Sequence, residues 1–220
     1  MSQSLPLQYE DGPLVWIDLE TTGLDPSKNR IMEVAVLITD GNLQLVDKEG
    51  CHFVVKSNER TFEEMDDWCK VQHKKSGLID KADESMFAAP EVADAVLNYI
   101  KSWVPKERTA LLAGSSVHFD AMFLRATGPD VAEHGGQPIW KKIADHLHYR
   151  IVDVSSVKEL CKRWYPHEYE EYRKTRPAQA SHRAMDDIRA SIAELKFYRE
   201  AIFVSPKARV DPGIKEGKTD

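Results

Sequence analysis

The stretch "VWIDLETTGLD", Val15 to Asp25, begins as a buried strand and then breaks its own pattern. Val15, Trp16, Ile17 and Leu19 have the β-branched, aromatic and aliphatic character of a strand. Asp18 and Glu20 interrupt it. Side chains alternate along a strand, so Val15, Ile17 and Leu19 share one face and Trp16, Asp18 and Glu20 the other. At about 3.4 Å per residue the two acids stand roughly 7 Å apart at Cβ. Like charges that close repel, and burial strengthens the repulsion. Water compensates if the strand lies at a sheet edge, where such a pair is often only a solvated face. A bound cation compensates if it does not. The turn "TTGLD" adds weight to the second reading, because acids at the end of a strand, before a glycine turn, commonly serve a site.

Working outward, "PLVWIDLE" reads as a first strand, "RIMEVAVLITD" as a second and "CHFVVK" as a third. The segment "TFEEMDDWCKVQHKKSGL" is polar and partly helical. "APEVADAVLNYIKSWVP" is an amphipathic helix, with Val92, Val96, Leu97, Ile100, Trp103 and Val104 on one stripe. "TALLAG" is a short buried strand, "DAMFLRAT" begins a helix, "YRIVDV" is a strand and "SSVKELCKRWY" a helix. "PHEYEEYRKTRPAQA" is charged and reads as a loop, and "SHRAMDDIRASIAELKFYREAI" as a long helix. Three strands close together, then strands alternating with helices, predict one mixed α/β sheet. The expected organisation is a flexible leader over residues 1–12, a single domain over 13–203 and a flexible polar tail over 204–220.

The formal net charge of −6 argues against a broad basic surface that coats long nucleic acid, but not against a short nucleotide substrate held by metals and a few side chains. Cys51, Cys69 and Cys161 form no metal-like spacing, which favours reduced thiols in a reducing compartment, the cytoplasm first. No apolar run is long enough to span a membrane. The first residues show neither a secretory signal nor an Arg-rich presequence, although a mitochondrial location stays open.

Two further segments carry acids. In "AGSSVHFDAMFL", Asp120 sits where a helix begins, a position that a helix dipole also favours on its own. In "ASHRAMDDIRASIAEL", about 100° per residue puts Ile188, Ile192 and Leu195 on the buried stripe. Asp186 then points away, while Asp187 lies on the flank and can reach inward. His182 falls in the loop or first turn before it. Four carboxylates from three elements, with a histidine before the last, make a hard, oxygen-rich site suited to Mg²⁺ or Mn²⁺. Two such ions about 4 Å apart are the usual device for cleaving phosphodiesters.

"DLETTGLD", "SSVHFDAMFL" and "HRAMDD" resemble the three motifs of the DEDD exonucleases, in the subgroup with histidine five residues before the last Asp. "MDDWCKVQHKKSGL", "YRIVDVSSVKELCKRWYP" and "SHRAMDDIRASIAELKFYR" are similar to stretches of the oligoribonuclease family. The resemblance covers roughly residues 13 to 200. It implies a ribonuclease H-like fold, with a five-stranded mixed sheet flanked by helices. It also implies a homodimeric 3′-to-5′ exoribonuclease that cuts very short, single-stranded RNA, above all 5′-phosphorylated dinucleotides, to 5′-mononucleotides. Asp18, Glu20, Asp120 and Asp187 match the acids that bind two divalent ions, and His182 matches the general base. Leu24 matches the residue that wedges against a base, Trp68 and His73 those beside the terminal nucleotide, and Ser116 a substrate contact. Tyr149, Arg150 and Ser155 match a cap on the 5′ phosphate, the tyrosine reaching across from the partner subunit. Thr21 stands where many members have Met. His118, Phe119, Ala121 and Met122 replace the Gly-Gln and basic residues usual around Asp120.

Two other classes remain to be weighed. A proofreading or RNA-trimming exonuclease would need a basic track for longer strands, which the charge of −6 does not favour. A non-catalytic module on the same fold would have lost an acid or the histidine, and all five are present.

Overall fold

The computed structural model describes residues 5–129, 135, 136, 138–175 and 183–203. Its centre is β1 (Leu14–Thr21), which pairs antiparallel with β2 (Ile31–Thr39). β2 pairs antiparallel with β3 (Cys51–Val54). On the other side β4 (Leu111–Gly114) runs parallel to β1, and β5 (His148–Asp153) parallel to β4. The order β3-β2-β1-β4-β5 makes a mixed five-stranded sheet. β1 is therefore a central strand, and solvent at a sheet edge does not compensate its acids.

The alternation along β1 sorts two cores. Val15, Ile17 and Leu19 pack with Val34, Val36 and Ile38 against α4 (Ala89–Trp103), α5 (His118–Arg125) and α6 (Lys141–His146). The α4 stripe Val92, Val96, Ile100 and Val104 is wholly inside. Trp16 faces the other way, with Ala35, Leu37 and Ala113, beneath Ala184, Ile188 and Ile192 of α9 (Ala184–Ala201). The indole N–H donates to Thr39 Oγ1 at 3.1 Å, which satisfies the one polar atom of that side chain. Each fully buried aliphatic side chain is worth about 1.5–3 kcal/mol, so both layers hold the sheet strongly.

The polar segment after β3 forms three helices, α1 (Glu59–Glu64), α2 (Asp67–Lys75) and α3 (Leu78–Glu84). Asn58 caps α1 by accepting the Thr61 N–H, and Asp66 caps α2 by accepting the Cys69 N–H. They cover a small core of Met32, Met65, Cys69, Leu78 and Ala82.

Three assignments from sequence need correction. Pro166–Thr175, expected as loop, is a helix, α8, directly after α7 (Val154–Trp164). Its charge hid a single buried anchor: Tyr172 packs on Phe197 and Tyr198 of α9. Pairs such as Arg173–Glu170 and Lys174–Glu171 occupy its outer face. The short helix α6 was not anticipated, although Ile143 and Ala144 bury into the main core. α5 begins two residues before Asp120, at His118. In the leader, residues 9–11 form a 3₁₀ turn and the Leu7 N–H donates to the Trp103 carbonyl at 2.7 Å. Residues 204–220 and His182 lie outside the described residues.

Candidate active site

The acid face of β1 points under the first turn of α9. Asp18, Glu20 and Asp187 each offer a carboxylate oxygen, and these atoms lie within 4.8 Å of one another. Asp186, one residue earlier on the same helix, is exposed. A 100° step thus decides which of two adjacent acids enters the site.

Asp120 arrives from α5 on a different route. β4 pairs with β1 only along Leu14–Trp16, so the sheet opens beyond Ala113. The Leu19 N–H, left without a strand partner there, is taken by Asp120 Oδ1 at 3.0 Å. Asp120 is buried, and lies outside the converging trio while remaining close enough to Asp18 to raise its proton affinity.

Burial and nearby carboxylates act on Asp18, Glu20 and Asp120. Asp18 is held well above the ordinary carboxylate range by burial, then by Asp120, Glu20, Asp187 and Glu33. Burial pushes Glu20 up to about 8, with Glu33 and Asp187 adding and Arg183 opposing. Burial pushes Asp120 up to about 7, against hydrogen bonds from its own backbone and from Leu19 that favour the anion. The protein alone thus gathers more negative charge than it neutralises, in oxygen donors only. That donor set fits hard divalent cations such as Mg²⁺ or Mn²⁺.

Beside the acids, the "TTGLD" turn is locked by its own side chains. Thr21 Oγ1 donates to the Gly23 carbonyl at 2.8 Å, and Asn29 Oδ1 accepts the Asp25 N–H at 2.9 Å. A Cβ on Gly23 would come within 2.6 Å of that same Asn29 oxygen, so a larger residue there would have to push the Asn29 side chain off the Asp25 N–H. The turn leaves Leu24 74% exposed. α2 is tied to it twice, by the Asp66 N–H to the Thr22 carbonyl at 3.1 Å and by His73 Nε2 to the Thr21 carbonyl at 2.8 Å. Trp68 on α2, 60% exposed, thereby belongs to the same corner as Leu24. Two large apolar side chains held open to solvent beside a carboxylate cluster are suited to base stacking. His73 itself is buried, its Nδ1 3.9 Å from Glu20 Oε2, and so lies beneath the acids rather than on an open wall.

On the far side, Ser116 has a left-handed backbone, φ 57°. Its N–H is directed at Asp153 Oδ1 (2.9 Å) and Ser155 Oγ (3.2 Å). Ser155 donates both N–H and hydroxyl to the same Asp153 oxygen. Ser116 and Ser155 are thus brought together. Tyr149 and Arg150 are exposed on edge strand β5, the guanidinium 5.0 Å from the Tyr149 ring centroid. Sequence reasoning missed Asp153, which organises this corner, and Glu33, a fully buried acid facing Arg183. The signal for Glu33 was a lone acid in the otherwise apolar run "RIMEVAVLIT".

A central strand bearing D-x-E, with acids delivered by two helices, is the arrangement of a nuclease domain. Residues 15–195 match the exonuclease family model of the RNase T type, and the chain belongs to this family. Solved exonuclease I structures share the fold: the E. coli enzyme in complex with a dT13 oligonucleotide gives a TM-score of 0.61 at 16% identity, over 86% of this chain and 41% of that one. The chain spans about two fifths of the length of those exonucleases.

Closer relatives narrow the class to oligoribonucleases. The probable oligoribonuclease of Schizosaccharomyces pombe is 47% identical over 85% of this chain and 67% of its own. The human mitochondrial oligoribonuclease is 43% identical over 90% and 75%. That of Vibrio cholerae is 38% identical over 90% and 99%. The activity is that of a 3′-to-5′ exoribonuclease, a divalent-metal-dependent phosphodiester hydrolase. Among the described residues no helix is long and apolar enough to cross a membrane.

Proposed function

We propose that this exoribonuclease finishes very short single-stranded RNA, with 5′-phosphorylated dinucleotides as its best substrates, and that it works as a homodimer. The convergence of Asp18, Glu20 and Asp187, with Asp120 beside them, carries this reading. These four acids would hold two ions, Mg²⁺ or Mn²⁺. When bound, such ions polarise the attacking water and stabilise the leaving 3′ oxygen. His182 is the general base of this scheme, accepting the water's proton. Trp68 stacks a base, at about 1–3 kcal/mol for an aromatic contact, and Leu24 wedges against one. His73 holds the Thr21 carbonyl from below, with its Nδ1 3.9 Å from Glu20 Oε2.

Selection for length comes from the opposite corner. The Arg150 guanidinium and the Ser116 hydroxyl are donors of the kind that grip a terminal phosphate, and Ser155, whose N–H and hydroxyl are given to Asp153, joins them by turning its hydroxyl outward. A closed cap rewards a dinucleotide and obstructs a third nucleotide. Support for the dimer comes from β5, an edge strand with Tyr149 69% and Ile151 39% exposed, and from Trp164 on α7, 65% exposed. Edge strands of this kind invite a second chain. The thiols Cys51 and Cys69 are buried and pushed up to about 11 and 12 by burial, which keeps them unreactive in a reducing compartment, cytoplasmic or mitochondrial. The test compares turnover of a 5′-phosphorylated dinucleotide with that of a long single strand at matched salt and metal. Much faster turnover of the dinucleotide is expected. A flat or rising rate with length overturns the proposal.

A further inference from the structure

Glu33 is a fifth carboxylate at the acid cluster. It lies on β2 directly opposite Glu20. It is fully buried, yet it is not one of the three acids that converge. Its oxygens are occupied instead. Arg183 Nη2 donates to Oε1 at 2.6 Å, and Arg183 Nε is 3.1 Å from both oxygens. His52 Nε2, on β3, lies 2.5 Å from Oε1. This is a bidentate fork in a water-poor setting, where such pairs are strongest.

Arg183 is placed where a cation could do harm. It is the residue before α9, and its carbonyl accepts the N–H groups of Asp186 and Asp187. Its side chain is largely buried, only 18% exposed. Besides Glu33, the acids within its electrostatic reach are Glu20 and Asp186. Glu20 stands opposite Glu33 in the strand register and, after Glu33, is the acid that acts most on Arg183, so a guanidinium freed from Glu33 has this partly buried carboxylate as an alternative. A fixed cation on Glu20 would occupy the charge that a divalent ion needs.

We propose that Glu33 is the internal counter-ion that keeps Arg183 off Glu20, so that Asp18, Glu20 and Asp187 stay open to divalent cations. Glu33 and Arg183 are positioning residues, not ligands. The inference rests on the reading of those three acids as the metal ligands. Its distinguishing consequence is a rescue. Removing Glu33 alone harms metal binding through the stranded arginine, and removing the arginine as well relieves the harm.

The experiment is calorimetric titration of the full chain with Mn²⁺, at fixed pH and ionic strength and without substrate. Glu33→Gln is expected to weaken Mn²⁺ binding about tenfold, which is about 1.4 kcal/mol. The double variant Glu33→Gln/Arg183→Gln is expected to return within about threefold of the parent. Unchanged affinity in Glu33→Gln, or a loss that the second change does not relieve, overturns the proposal. If Glu33→Gln does not fold, Glu33→Asp, which shortens the fork, takes its place: an Mn²⁺ affinity that it lowers and that adding Arg183→Gln restores supports the proposal, and no loss or an unrestored loss overturns it. Asp18→Ala, titrated alongside, keeps the underlying reading separate. Parent-like Mn²⁺ affinity in that variant would overturn the ligand assignment itself.

Discussion

Asp120 Oδ1 accepts the backbone N–H of Leu19 at 3.0 Å, so one carboxylate both closes a gap in the sheet and stands at the acid cluster. The two roles separate by substitution. Asp120→Asn keeps an oxygen for the Leu19 N–H but loses the charge, whereas Asp120→Ala loses both. Both variants are expected to lose activity by about 100-fold or more. Asp120→Ala is expected to be less stable than Asp120→Asn by about 1 kcal/mol, the net worth of a buried hydrogen bond. Urea unfolding of the two variants measures the difference, and equal stability would mean that the Leu19 contact is idle.

Neighbouring acids on α9 should behave as opposites. Asp187 shares the cluster with Asp18 and Glu20, while Asp186 is exposed. Asp187→Ala is expected to abolish turnover and, without metal, to leave the protein as stable as the parent or more so, because it relieves repulsion. Asp186→Ala is expected to keep turnover within about twofold and stability within about 0.5 kcal/mol, as exposed substitutions do. Matching losses in both would show that α9 presents a different face.

These contrasts also show how far the sequence was legible. The two faces of β1 could be read because strand alternation is a strict period, and Trp16 and Ile17 do fall in different cores. The choice of Asp187 over Asp186 was legible because Ile188 and Ile192 fix the phase of a long helix. α8 was not, since its one buried side chain, Tyr172, leaves no stripe to detect. The links that shape the site were invisible for a different reason. Asp66 to Thr22, Asp153 to Ser116 and Arg183 to Glu33 join residues 44, 37 and 150 positions apart, and no local pattern encodes such pairings.

Metal-free stability should fall as pH rises. Burial raises Glu20 from 4.5 to about 8 and Asp120 from 3.8 to about 7. Between those limits the folded state binds more protons than the unfolded one, so the stability these groups add is full only below about pH 4, falls steadily as pH rises, and is gone above about 7 for Asp120 and about 8 for Glu20. Glu33 acts the other way. Burial raises it, but hydrogen bonds from His52 and Arg183 outweigh that and leave it low, so its contribution is lost as pH falls below the ordinary carboxylate range. Mn²⁺ binds the deprotonated acids, so its stabilisation should grow over the same interval in which the metal-free protein weakens. Thermal unfolding at several pH values, with and without Mn²⁺, checks both slopes. A metal-free protein that gains stability from pH 5 to about 8 would contradict the assigned burial of the acids.

The final prediction concerns a site completed by two chains. Tyr149 is 69% exposed on edge strand β5, its ring stacked on His148 at 4.4 Å and faced by the Arg150 guanidinium. Among the described residues only His148 and Arg150 are seen against the ring, and an exposed, pre-oriented aromatic of this kind has little to contribute unless another surface meets it. If Tyr149 serves the partner's site, two defective chains can repair one another. Asp18→Ala removes an acid but leaves Tyr149 intact, and Tyr149→Ala does the reverse. In a mixture that exchanges subunits, half of the dimers are expected to pair one of each, and in these one site has both its acids and its tyrosine. Turnover of a 5′-phosphorylated dinucleotide by the mixture should therefore exceed the average of the two variants measured alone, by up to a quarter of parental activity. Arg150→Ala supplies the complementary arm. It is expected to erase the preference for a 5′ phosphate, a loss of about tenfold or more in affinity for a charge-assisted contact, while unphosphorylated dinucleotides are cut as before. A mixture no more active than its components, in dimers shown to have exchanged, would assign Tyr149 to its own chain.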